Sequence, residues 1–130
     1  MTSRIEAAIQ RAIVDWFLKT YKDYLLTATL NENSRHNLEM GVSVGITDFI
    51  IFARNDNILH VFFHELKTKA KNSKRSPSQV KWYNETYVPK LQASNTHYAF
   101  SKGFSEAKQQ IVEWINKVCL TTLPTSGREY

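Results

Sequence analysis

Apolar positions recur along the chain with two periods, and the period changes where the elements change. Over residues 3–22, Ile5, Ile9, Ile13, Phe17 and Tyr21 return every fourth position, with Ala8, Ala12 and Trp16 beside them. That spacing predicts an amphipathic helix, and Ser3 and Glu6 stand at the S-x-x-E spacing of a capping box at its start. Residues 24–30 (YLLTATL) predict a strand, followed by the polar stretch NENSRHNLEMGVSVG. Residues 48–54 (DFIIFAR) and 58–66 (ILHVFFHEL) are rich in β-branched and aromatic side chains and flank Asn55-Asp56-Asn57, which predicts a hairpin. Further on, Ser76-Pro77 sets an N-cap before a proline at the first helical position. The helix it opens carries Val80, Tyr83, Tyr87 and Leu91, and Pro89 is expected to kink or end it. Residues 96–101 (THYAFS) predict a fourth strand, and Ser105 is expected to cap a last helix with Ile111, Trp114, Ile115 and Val118 inward.

The order α-β-β-β-α-β-α predicts an α/β fold, a mixed sheet flanked by helices. The chain has 130 residues, enough for one domain with a proper core and too few for two. The expected domain covers 1–122, with 123–130 a flexible tail. The single cysteine, Cys119, cannot make an internal disulfide and is expected as a small buried apolar residue on the last helix. No apolar run approaches the roughly 20 residues that span a bilayer, and MTSRIEAAIQ has no signal-peptide core. A cytoplasmic protein away from membranes is expected.

The net charge of +5 is modest, but its distribution is uneven. Between Lys67 and Lys81 lie six basic residues (Lys67, Lys69, Lys71, Lys74, Arg75, Lys81) and no acidic one. Such clustering suits either a phosphate backbone or a plain solvated loop.

Glu65-Leu66-Lys67 is the candidate chemistry. An acid-x-Lys triplet alone carries little weight, and Glu106-Ala107-Lys108, on a helix, is the same triplet on a solvated face. Glu65 and Lys67 differ in ending an apolar strand, where positions i and i+2 share a face. A carboxylate there is costly unless paired or metal-bound. Asp48 begins the preceding strand. With a two- or four-residue turn, paired positions sum to 113 and Asp48 lies opposite Glu65. A three-residue turn gives a sum of 112 and puts Asp48 opposite His64, unless a bulge restores the register. Two facing carboxylates repel unless a cation lies between them, and Mg²⁺ accepts one or two carboxylates plus water and substrate phosphate. The Leu66 carbonyl is a further candidate oxygen, and Lys67 a candidate for orienting a water and stabilising developing negative charge. The plainer alternative is a surface Glu65–Lys67 pair. None of the histidines His36, His60, His64 and His97 is expected to hold a metal. His64 is expected to be packed; Trp82, Tyr83 and Tyr87 could stack on bases but suit a core equally.

Gly45-Ile46-Thr47-Asp48, Glu65-Leu66-Lys67 and Ser78-Gln79 resemble the PD-(D/E)xK nuclease superfamily, in particular its VRR-NUC branch, over about residues 3–116. Thr47 stands where that family usually has proline. The resemblance implies a restriction-endonuclease-like core. It implies a Mg²⁺ ion, with Mn²⁺ as substitute, held by Asp48, Glu65 and the Leu66 carbonyl, with Glu6 as a further ligand or only a cap. Lys67 and Gln79 would complete the catalytic set, and Lys69, Lys71, Lys74, Arg75 and Lys81 would hold DNA. Stand-alone domains of this family, often virus-encoded, resemble Holliday-junction resolvases, which implies a homodimer acting on branched DNA in the host-cell cytoplasm. Flap or duplex cleavage, a binding module that does not cut, and an interaction protein with the other hairpin register are the alternatives.

Overall fold

A computed structural model describes residues 4–29 and 39–120. Ser3, His36, part of the long polar stretch and the tail from 123 lie outside the described residues. The elements are α1 (Arg4–Thr20), β1 (Leu25–Ala28), β2 (Phe49–Asn55), β3 (Ile58–Lys67), α2 (Pro77–Trp82) running into a π-wound segment (Tyr83–Leu91), β4 (Thr96–Lys102) and α3 (Phe104–Leu120). The four strands form one mixed sheet in the order β1-β2-β3-β4. β1, β2 and β3 pair antiparallel, and β4 joins β3 in parallel. A parallel neighbour cannot be reached by a tight turn, so the chain crosses over through the basic stretch, α2 and the π-wound segment.

Helices cover both faces. On one, Ile13 and Phe17 of α1 and Ile111, Trp114 and Ile115 of α3 pack on Phe49, Ile51, Phe62 and Leu66. On the other, Trp82 and Tyr87 pack on Phe63, with Ile50, Tyr83 and Tyr98 around them. A strand covered on both sides loses its in-out alternation, and Phe62, Phe63, His64, Glu65 and Leu66 are buried in succession. Glu65 is therefore buried by its position in the architecture.

The hairpin closes with two residues. Asn55 pairs with Ile58, and Asp56 and Asn57 take φ of 53° and 67°, the pair of left-handed residues of a type I′ turn. The register this sets, Phe49 opposite His64, sums to 113, but the ladder ends there and the expected pairing of Asp48 with Glu65 does not form.

Four local expectations are corrected and one is refined. The helix ends two residues past Pro89: the segment runs to Leu91 with π winding, and Gln92 N–H bonds the Tyr87 carbonyl five residues back. Wider winding relieves the clash between a proline ring and the carbonyl four residues earlier. Ser105 is inside α3 rather than its cap; the helix begins at Phe104, and the Gly103 carbonyl accepts the Ala107 N–H. Cys119 is exposed, because the inward stripe of α3 ends on its neighbour Val118. Ile5 is also exposed, about two helical turns before Ile13, the first buried residue of α1. Among the described residues β1 is shorter than predicted, with Leu25–Ala28 in register with β2.

Candidate metal and phosphate site

Asp48 stands where the sheet breaks its ladder. Its carbonyl accepts the Thr29 N–H on the β1 side, and its N–H donates to the His64 carbonyl on the β3 side, both at 3.0 Å. A residue in an unbroken antiparallel strand sends both groups to the same neighbour. Asp48 and Phe49 together face His64, the two-against-one count of a β-bulge. The regular Asp48–Glu65 rung is thus replaced. The Asp48 carboxylate reaches across instead, and its Oδ2 accepts the Leu66 N–H at 2.6 Å.

Glu65 is fully buried on the face that meets α2. Tyr98 Oη donates to its Oε2, and its Oε1 is buried with no hydrogen-bond partner. Burial, foremost, drives the Glu65 pKa up to about 7; the Tyr98 bond opposes this, the Asp48 charge adds to it, and Arg75 and Lys67 pull it back. Arg75 is only half-exposed: Nη1 donates to Tyr98 Oη at 3.2 Å, and its guanidinium lies 5.5 Å from the Tyr83 ring centre and 5.9 Å from that of Tyr98. Burial and the bond to Glu65 push the Tyr98 hydroxyl pKa up, so it keeps its proton.

Lys67 is half-buried at the end of β3, in register with Lys102 of β4, and its charge acts on Glu65. Lys69, Lys71, Lys74 and Lys81 are exposed. Gln79 is buried and holds the start of α2: its Oε1 accepts the Ser76 N–H at 2.9 Å, and its own N–H donates to Ser76 Oγ at 3.2 Å. This S-x-x-Q capping box is spelled in Ser76-Pro77-Ser78-Gln79 and commits the Gln79 carbonyl oxygen to the helix. Trp82 and Tyr87 are buried, the core alternative to base stacking. His64 is packed as expected, stacked on Phe49 at 4.9 Å with Nε2 2.6 Å from Ser101 Oγ; burial holds its pKa down at about 3.

Among the described residues no three or more His, Cys, Asp or Glu side chains form a metal-holding group. Glu6 therefore does not join Asp48 and Glu65; α1, which carries it, covers the opposite face of the sheet. The donors that remain are the two carboxylates and the Leu66 main chain. They suit a hard, oxygen-seeking divalent cation, and the unpartnered Glu65 Oε1 is an atom that such an ion would satisfy. Tyr98 and Lys102 carry no signal in the sequence, because β4 reaches the site only through the parallel pairing, which no local pattern announces.

The buried carboxyl makes a stability prediction. Folded Glu65 holds its proton up to about pH 7, whereas the ordinary value is 4.5. Rising pH therefore favours the unfolded chain between those values, and the loss is complete above 7. In EDTA, Glu65→Gln is expected to gain on the wild type from nearly nothing at pH 4.5 to on the order of 3 kcal/mol at pH 8. Urea unfolding of both proteins across that range measures it; parallel curves would refute the assignment.

Comparison with protein-family models, with curated proteins and with solved structures finds no match to this chain. Among the described residues no helix is long and apolar enough to cross a membrane.

Proposed function

We propose that this chain is a metal-dependent endonuclease with a restriction-endonuclease-like core, hydrolysing DNA phosphodiester bonds, and that it works as a homodimer on branched DNA. The observation that carries the proposal is the buried, half-satisfied carboxylate of Glu65 beside Asp48, at the head of a basic segment. A buried carboxylate left with a bare oxygen is unfavourable by several kcal/mol unless something charged meets it. Mg²⁺ or Mn²⁺ bound there would supply Lewis-acid stabilisation of the phosphate's developing charge.

The chain's own residues then have distinct tasks. Asp48, fixed by the Leu66 N–H, and Glu65, fixed by Tyr98, would hold the ion with the Leu66 carbonyl. Lys67 orients the attacking water and meets the negative charge that grows on the phosphate, and Lys102 beside it raises the local positive potential. Lys69, Lys71, Lys74 and Lys81 grip the phosphate backbone without reading sequence. Gln79 supports the site through the helix start it caps. A single chain has one such centre, and symmetric cuts at a four-way junction need two, which a two-fold dimer supplies.

The test is cleavage of labelled four-way junction, 5′ flap and linear duplex DNA by the purified protein with Mg²⁺, with Mn²⁺ and with EDTA. Symmetric, metal-dependent cutting of the junction is expected. Cutting of flaps or duplex alone would keep the nuclease and discard the branched-DNA dimer. DNA binding with no cutting in any metal would make the chain a binding module instead.

A further inference from the structure

Glu65 is reached by a chain of hydrogen bonds that runs in one direction only. A guanidinium donates and never accepts. Arg75 Nη1 donates to Tyr98 Oη, so that oxygen is the acceptor in this pair. The hydroxyl has one proton of its own, and it goes to Glu65 Oε2. The arm is held still by its rings: Tyr98 packs on Tyr83 at 4.6 Å and on Tyr87 at 5.4 Å between centres, with Arg75 over Tyr83 and Tyr98. One oxygen of the carboxylate is thereby taken, and the other, Oε1, is left without a partner.

The division matters to any cation the carboxylate meets. Mg²⁺ takes six oxygens in a tight octahedron, one from each group, whereas Ca²⁺ takes six to eight and readily accepts both oxygens of one carboxylate. We infer that Tyr98, aligned by Arg75, is a positioning residue that leaves Glu65 a single oxygen to offer and so selects divalent ions of the size of Mg²⁺ and Mn²⁺ over Ca²⁺. The inference rests on the metal site proposed above. It also gives Arg75 a place in the site rather than on the DNA-gripping surface.

Binding is measured on the metal-free, full-length protein by following free Mn²⁺ in its paramagnetic resonance spectrum, with Mg²⁺ and Ca²⁺ as competitors. Tyr98→Phe keeps the ring and removes only the hydroxyl. It is expected to move the Ca²⁺-to-Mg²⁺ affinity ratio about tenfold toward Ca²⁺, in line with the effect of losing a residue that orients a ligand. Arg75→Met, with every ring in place, is expected to move it the same way and less far. Arg75→Lys, which keeps a donor for the hydroxyl oxygen, is expected to stay near the wild type. Circular dichroism confirms that each variant is folded, and should Tyr98→Phe fail to fold, Arg75→Met decides alone. A folded Tyr98→Phe or Arg75→Met that binds both ions in the wild-type ratio overturns the inference and leaves the metal site standing. A wild-type protein that binds no Mn²⁺ overturns both.

Discussion

On the proposed function, Lys67→Ala is expected to lose nearly all DNA cutting while Mn²⁺ still binds, and Asp48→Ala to lose both. This split is the largest effect expected of any single replacement. Lys67 contributes no ligand atom. Its ammonium faces Glu65 closely enough to pull that group's pKa down, and its expected task is to meet charge that appears only as the phosphate reacts. Removing a donor aimed at a developing charge typically lowers turnover by about 10²–10³-fold. Asp48 contributes differently. Its carboxylate accepts the Leu66 N–H, so Asp48→Ala removes a proposed ligand and also the acceptor that fixes the Leu66 main chain. Mn²⁺ affinity is then expected to fall at least about tenfold, and cutting with it. Cleavage rates and Mn²⁺ titration on the two variants measure the split. If Lys67→Ala cuts at the wild-type rate, the water-orienting role is wrong. If Asp48→Ala binds Mn²⁺ as the wild type does, the metal lies elsewhere.

Gly45→Ala is the most destabilising change expected outside the hydrophobic core. Gly45 has φ of +82°, and a Cβ there would lie 2.1 Å from the Ser78 carbonyl oxygen and 3.1 Å from Trp82 Cβ. The oxygen is backbone and cannot swing aside as a side chain would. Left-handed strain of about 1–2 kcal/mol adds to an overpacking penalty of about 1–3 kcal/mol, for an expected loss near ~3 kcal/mol. Gly41 is the internal control, because it has φ of +101° with nothing within 4 Å of its Cβ position. Gly41→Ala should show the strain alone. Urea unfolding of the two variants measures the difference, and equal midpoints would mean that the segment before Asp48 shifts freely. The functional consequence is close by: Gly45 lets the chain lie against the start of α2, three residues before Asp48, so a displaced Gly45 drags the carboxylate from Leu66.

The site was legible where one strand carried it. Glu65 and Lys67 share a face by the two-residue period of β3, and the run from Val61 to Leu66 read as a strand. The type I′ turn was legible too, in Asp56-Asn57, two residue types that tolerate positive φ. What did not show was everything that depends on a second strand arriving from far along the chain. Tyr98 in THYAFS looks like any aromatic in a buried strand, and only the register Phe63–Tyr98 carries its hydroxyl to Glu65. Arg75 looked like one more cation in a basic run until its bond to Tyr98 set it apart from the exposed lysines. The bulge at Asp48 was open as a possibility, but periodicity counts positions along a strand and not the directions of its N–H and carbonyl groups. Pro89 marked the end of its helix only to within two residues, for another reason. The usual rule assumes α winding, and the segment escapes it by winding wider.

The two-residue turn at Asp56-Asn57 has an influence far beyond its own surroundings. It sits at the opposite end of the hairpin from Asp48, about 25 Å of extended chain away at roughly 3.3 Å per residue. Loop tips with polar residues are ordinarily where a chain accepts insertions most freely. Here one added residue would propagate along β2 as a slip, either turning its inward side chains outward or being absorbed as a second bulge. The hairpin works as a ruler: its turn is the zero mark, and the carboxylate is read off eight residues away.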